Sequence, residues 1–169
     1  LLIRQLVPSD ALTFQALRLS GLKETPTSFA SSYEEEVHRS SDDIERQLTK
    51  QDDHGVFGAF HDTQLIGIAG LGRENHTKLR HKAFVWGVYV APEQRGRGVS
   101  RALVSEAIRF AQSVPGITQV NITANACNDV AIRLYSSLGF KQFGLEPGSM
   151  IVEGKRYDEV HMSLHFEPR

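Results

Sequence analysis

Residues 84–101 read F-V-W-G-V-Y-V-A-P-E-Q-R-G-R-G-V-S-R. The apolar, β-branched and aromatic run at the front predicts a strand over roughly 83–91. After the stretch, Val99, Ala102, Leu103, Ala107, Phe110, Ala111 and Val114 recur at three- and four-residue spacing, which marks one buried helix face. Pro115-Gly116 stops that helix. Between strand and helix sit Gly96 and Gly98, with Arg95, Arg97 and Arg101 around them. A helix N-terminus presents unpaired N–H groups and partial positive charge. Glycines leave those amides bare, so the turn suits a phosphate or pyrophosphate. A tight turn with solvated arginines is the competing reading. Two nucleotide motifs fail here. The chain has no Gly-Lys-Ser/Thr ending for a P-loop, and Arg101 stands where a dinucleotide fingerprint places its third glycine.

The flanking elements follow from periodicity. Residues 1–7 read as a short strand, and Pro8, Ser9 and Asp10 as a helix start. Leu12, Ala16, Leu19 and Leu22 suggest the apolar face of that helix, which ends before Pro26. A loop then turns acidic and helical around Glu34–Glu36, and a polar helix covers about 41–51. Residues 55–60 and 65–71 form a hairpin turning at His61-Asp62. Residues 118–124 alternate as a strand; Ala131, Leu134, Tyr135 and Leu138 mark a second amphipathic helix closed by Gly139. Strands return from Phe140 and over 157–166. The order β-α-α-β-β-β-α-β-α-β-β predicts a mixed α/β (α+β) protein, one domain over 1–169, with helices on both faces of its sheet. The strand–helix–strand unit near 84–124 is expected to be a parallel, right-handed crossover.

Composition sets the frame. With 169 residues the chain can bury a real core, and 40% hydrophobic and 23% charged residues are ordinary for a globular protein. A formal net charge of -1 argues against a nucleic-acid partner. No apolar run approaches the ~20 residues of a membrane span, and no secretory leader is read at the start. Cys127 is the single cysteine, so a reducing, cytoplasmic location is expected. His161 and His165 share a strand face without the further ligands a zinc site wants, so no metal is expected.

The stretch V-Y-V-A-P-E-Q-R-G-R-G-V-S-R-A-L resembles the acetyl-CoA signature of the Gcn5-related N-acetyltransferases, Arg/Gln-x-x-Gly-x-Gly/Ala. Arg95 and Gly98 fit the pattern, and Ser100 replaces the usual glycine or alanine with a small residue that keeps its N–H. A second segment, N-D-V-A-I-R-L-Y-S-S-L-G-F over 128–140, resembles the family's Asn-x-x-Ala-x-x-Leu-Tyr-x-x-x-Gly-Phe. The resemblance is strongest to small bacterial-type members. It implies a mostly antiparallel mixed sheet of about seven strands flanked by about four helices. It also implies acetyl-CoA as acyl donor, an amine as acceptor and a homodimer as a common assembly.

Acetyl transfer to an amine makes three demands. The amine must be neutral, although alkyl amines have pKa values of ~10. The carbonyl oxygen needs fixed donors as it gains charge. The leaving thiolate benefits from a proton. The resemblance implies that the strand before the signature bulges and splays from its neighbour, so that Val88, Tyr89 and Val90 meet the pantetheine arm. The N–H of Val90 or Val88 is then the oxyanion donor. It further implies that Gly96, Arg97, Gly98, Val99, Ser100 and Arg101, with Arg95, hold the diphosphate. Asn128 holds the arm, with helix capping as its other role. Tyr135 protonates the thiolate, although it also lies on an apolar helix face where packing alone would explain it.

The acceptor side is less determined. Some relatives carry a base glutamate where this chain has Phe84. Glu74, His81, Asp158, Glu159 and Glu34–Glu36 are candidate bases, as is a water chain. Phe29, Ser31 and Ser32 are expected to wall the acceptor site, with Glu35 attracting a cation. Strict alternation puts Trp86 and Tyr89 on opposite faces, with Trp86 toward the acceptor or the core. Asp158 lies on the last strand, which borders the same pocket in the family. A small molecule, amino acid, polyamine or peptide N-terminus all remain open as acceptors. A non-catalytic acyl-CoA sensor is the alternative from another class.

Overall fold

The structure, a computed structural model, describes residues 1–167. Its strands are β1 (Leu2–Gln5), β2 (Gly55–His61), β3 (Gln64–Arg73), β4 (Lys82–Val90), β5 (Gln119–Asn125), β6 (Lys141–Val152) and β7 (Lys155–His165). Its α-helices are α1 (Ala11–Glu24), α2 (Tyr33–Glu36), α3 (Ser41–Leu48), α4 (Val99–Ser113) and α5 (Asp129–Ser137). They build one seven-stranded sheet in the order β1-β2-β3-β4-β5-β7-β6. Every pair is antiparallel except β4–β5, which the α4 crossover makes parallel. The expected order of strands holds, with one helix more than expected: the acidic and polar segments form two separate helices, α2 and α3, which makes five α-helices where about four were expected. Two boundaries move: α3 ends at Leu48, and β7 begins at Lys155 because Glu153-Gly154 turns the chain there.

Alternation along β2 and β3 sends side chains to two separate cores. Phe57, Ala59, Ile66 and Ala69 meet Leu103, Val104, Ala107 and Ala111 of α4 on one face. Val56, Phe60, Leu65 and Ile68 meet Phe14 and Leu22 of α1 and Ile44 and Leu48 of α3 on the other. Leu103 and Phe14 are fully buried, each contributing about 1.5–3 kcal/mol by removal from water.

The face of α1 differs from expectation. Ala11, Phe14, Arg18, Gly21 and Leu22 are buried, while Leu12 is 77% exposed. Apolar residues lie all round this helix, so its pattern does not choose a side, and an arginine takes a core position. Arg18 is accommodated by Glu36 of α2, with Nε–Oε2 at 2.6 Å and Nη2–Oε1 at 2.7 Å.

A bulge changes the parity of β4. Ile68 pairs with Tyr89 and Gly70 with Trp86, so Gly87 and Val88 together oppose Ala69. Gly87 takes φ +64°, a left-handed conformation open to glycine. The extra residue returns Trp86 to the same face as Tyr89, against the α1 core, and corrects the expectation that they point apart. Trp86 lies across Gly70, where a Cβ would come within 2.0 Å of the indole.

Candidate active-site cleft

Parallel pairing of β4 with β5 covers only Lys82–Phe84 against Gln119–Asn121. Beyond Phe84 the two strands diverge. Ala91 N donates to Ile66 O at 2.9 Å, and in an antiparallel ladder this makes Gly67↔Val90 a non-bonded pair. The N–H and C=O of Val90 therefore face the gap. Its carbonyl accepts from Arg95 Nε at 3.0 Å, and its N–H remains directed at the opening.

The divergence opens a cleft of about 980 Å³, walled by β4, β5, the start of α4, α5 and the Thr25–Ser31 segment. At one end lie Gly96 (φ +73°) and Gly98 (φ +77°), the latter capping α4. A Cβ at either would meet nothing within 4 Å, so backbone conformation and not crowding requires glycine there. Amides of the following first turn have no helical acceptor. This end has the size and donors for a diphosphate.

The three arginines separate in role. Arg95 gives both terminal nitrogens to Glu24, at 3.0 and 2.6 Å, and ties the turn to the end of α1. Three of its five N–H groups are thus used within the protein, and its charge is balanced by Glu24. Tyr89 packs under it, 5.5 Å from ring centre to guanidinium. Burial and then hydrogen bonding to Glu24 push the Tyr89 phenol up to about 12. Arg101 reaches Ser137 Oγ on α5 at 2.5 Å and lines the cleft. Arg97 bonds Gln94 Oε1 at 3.3 Å and does not line it. Neither has a carboxylate partner among the described residues, so both charges remain available for phosphate groups.

Val88, Tyr89, Val90, Val99, Ser100, Asn128 and Tyr135 all line the cleft. Asn128 Oδ1 accepts from Ala131 N at 3.1 Å and caps α5. That cap orients α5 so that Tyr135 is carried inward, edge-on to Phe140 at 6.1 Å. Burial alone raises the Tyr135 phenol to about 12, so it stays protonated at neutral pH.

Of the residues expected to wall an acceptor site, Phe29, Ser31 and Trp86 line the cleft, and Arg18, Met150 and Glu159 line it with them. Ser32, Glu35 and Asp158 do not. Ser32 and Glu35 cap α2 reciprocally, with Ser32 N to Glu35 Oε2 at 2.7 Å and Glu35 N to Ser32 Oγ at 3.2 Å. Asp158 is exposed and accepts from Gly148 N at 2.8 Å. Glu36 is buried against Arg18 and not presented to solvent. His81 and Glu74 lie at the paired start of β4, away from the splayed end, and neither lines the cleft. Sequence reasoning missed Arg18 and Met150. Phe14-x-x-x-Arg18-x-x-x-Leu22 was the available signal for the first; nothing local marked the second.

The model of the acetyltransferase (GNAT) family matches residues 22–140, and the chain belongs to that family. Among similar proteins, the N-alpha-acetyltransferase RimI of Mycobacterium tuberculosis is 34% identical over 100 residues, 59% of this chain and 60% of that protein. An uncharacterized protein of Mycobacterium leprae is 39% identical over 49% of this chain and 22% of its own length. The chain thus spans less than two thirds of these two relatives. The spermidine N(1)-acetyltransferase of Vibrio cholerae is 25% identical, covering 92% and 94%. Among solved structures, a GNAT acetyltransferase from Streptococcus pneumoniae superposes with a TM-score of 0.86 at 24% identity, covering 98% of this chain and 99% of that one. YncA of Salmonella typhimurium, solved with acetyl-CoA, gives 0.83 at 22%, covering 98% and 94%. These likenesses carry the fold.

Proposed function

We infer that this chain transfers the acetyl group of acetyl-CoA to a primary amine by direct attack. One observation carries the reading: a single cleft joins the bare glycine turn, the outward-facing amide of Val90 and the protonated Tyr135. The turn holds the diphosphate through backbone N–H groups, supplemented by Arg97 and Arg101. Diverging strands take the pantetheine arm as a surrogate strand, since the groups of β4 that face β5 have no strand partner beyond Phe84. Val90 N–H donates to the thioester oxygen as it gains charge. A fixed donor of this kind is worth about 2.7–4 kcal/mol of barrier. Tyr135 gives its proton to the leaving sulfur, a step worth ~10²–10⁴-fold when the groups are within hydrogen-bond reach.

A non-catalytic acyl-CoA sensor would need the turn but neither a buried phenol nor an acceptor chamber lined by Glu159. The test is thiol release from acetyl-CoA across a panel of primary amines, beside calorimetry of acetyl-CoA binding. Amine-dependent release is expected. Tight binding with no release from any amine would refute the transferase reading.

A further inference from the structure

The transfer reading leaves the acceptor and the removal of its proton unassigned. Glu159 is the one carboxylate that lines the cleft among the described residues. It is half-buried on β7, opposite Asn125 of β5 and Glu146 of β6. Ser149 Oγ of β6 donates to Glu159 Oε1, which fixes the carboxylate while the second oxygen has no side-chain partner among the described residues. Its neighbour Asp158 faces the other way, as alternation requires, and accepts from Gly148 N. Of the other charges that line the cleft, Arg18 is balanced by Glu36 and Arg95 by Glu24, while Arg101, beside the glycine turn, has no carboxylate partner among the described residues. Beside Arg18 the rest of this wall is uncharged, with the apolar surfaces of Phe29, Trp86 and Met150 next to the small polar groups of Ser31 and Asn125.

Resting on the transferase reading, we propose that Glu159 anchors the acceptor's ammonium group and takes its proton, and that the site accepts amines with one positive charge on an apolar body. The ammonium loses a proton to Glu159, which passes it to solvent. The neutral nitrogen attacks the thioester carbon, the C–N bond forms and the C–S bond breaks. The sulfur takes the Tyr135 proton, which is replaced by the proton shed from the new amide nitrogen. One carboxylate balances one ammonium. A polyamine brings further charges into a wall with nothing to pair them, which disfavours it.

The experiment compares wild type and Glu159→Gln with phenethylamine, protonated at neutral pH, and trifluoroethylamine, already neutral there. With Glu159→Gln, turnover of phenethylamine should fall ~10²-fold or more while trifluoroethylamine stays within about threefold. Acetyl-CoA affinity by calorimetry should not change. Equal losses with both amines mean that Glu159 has only a structural role, and overturn the inference while the transferase reading stands. Should Glu159→Gln fail to fold, Ser149→Ala carries the same comparison with a smaller loss confined to phenethylamine; no difference between the amines overturns the inference. Wild type should prefer phenethylamine to spermidine in kcat/KM, and the reverse order overturns the acceptor class. Wild type that binds acetyl-CoA and turns over neither amine, yet releases thiol with another amine of the panel, overturns the inference alone; no release from any amine overturns the transferase reading as well.

Discussion

Gly98 and Gly154 form a matched pair for testing the phosphate turn. Both have φ +77°, and a Cβ at either meets nothing within 4 Å. Gly98 caps α4 at the mouth of the cleft, whereas Gly154 lies in the tight turn between β6 and β7, outside it. Alanine at either must adopt a left-handed backbone, at about 1–2 kcal/mol. For a chain of this length that is a fall in Tm of roughly 2–8 °C, and the two variants should fall together. Their ligand affinities should separate. A methyl group on Gly98 occupies the open space through which a diphosphate reaches the amides. Loss of one charge-assisted hydrogen bond costs about 1.5–3 kcal/mol, which is roughly 10–100-fold in Kd. Gly98→Ala should therefore weaken acetyl-CoA by that factor in calorimetry, and Gly154→Ala should bind as wild type. Equal Kd values for the two variants would remove the turn from the binding site, and with it the basis of the proposed chemistry.

Tyr135→Phe should lower kcat by ~10²-fold or more with little change in acetyl-CoA Kd, read from thiol release and calorimetry; unchanged kcat would return Tyr135 to a packing role. Because burial holds its phenol near 12, wild-type activity should show no alkaline loss from Tyr135 until pH approaches that value. Arg18→Met leaves the Glu36 carboxylate buried without its partner and should cost about 3–5 kcal/mol in urea unfolding, largely recovered by adding Glu36→Leu. The same pair has a pH signature. Burial pushes Glu36 up, but the hydrogen bond and charge of Arg18 outweigh it, and its pKa ends below the ordinary 4.5. Its stabilisation is present above that value and is lost as pH falls through the lowered one, so wild type should lose stability on acidification where Arg18→Met/Glu36→Leu does not.

The donor half of the site was legible because its signals are local. Two glycines, a following amphipathic face and the Asn128-to-Tyr135 spacing each sit within one element and its cap. The acceptor half was not, because it depends on long-range pairing. Arg18 reads as a polar residue of a surface helix until Glu36 is brought beneath it. Glu35 reads as part of an acidic patch, yet it is turned back onto Ser32. Strict alternation misplaced Trp86 relative to Tyr89, since the inserted residue leaves no mark in the apolar run beyond Gly87, and a glycine within a strand equally signals a close backbone approach. On the last strand the sequence put Asp158 at the acceptor pocket and left Glu159 as a candidate base only; adjacent residues of a strand face opposite ways, and it is the pairing of β7 with β5 and β6 that turns Glu159 toward the cleft.

Trp86 is the chain's sole tryptophan. It lies over Gly70, within 5.4 Å of the Arg18 guanidinium, on the wall of the cleft. Its emission therefore comes from one place, and under the proposed function that place adjoins the acceptor. The unaltered molecule carries its own optical probe: quenching or a spectral shift on titration would register acceptor occupancy directly, without label or turnover.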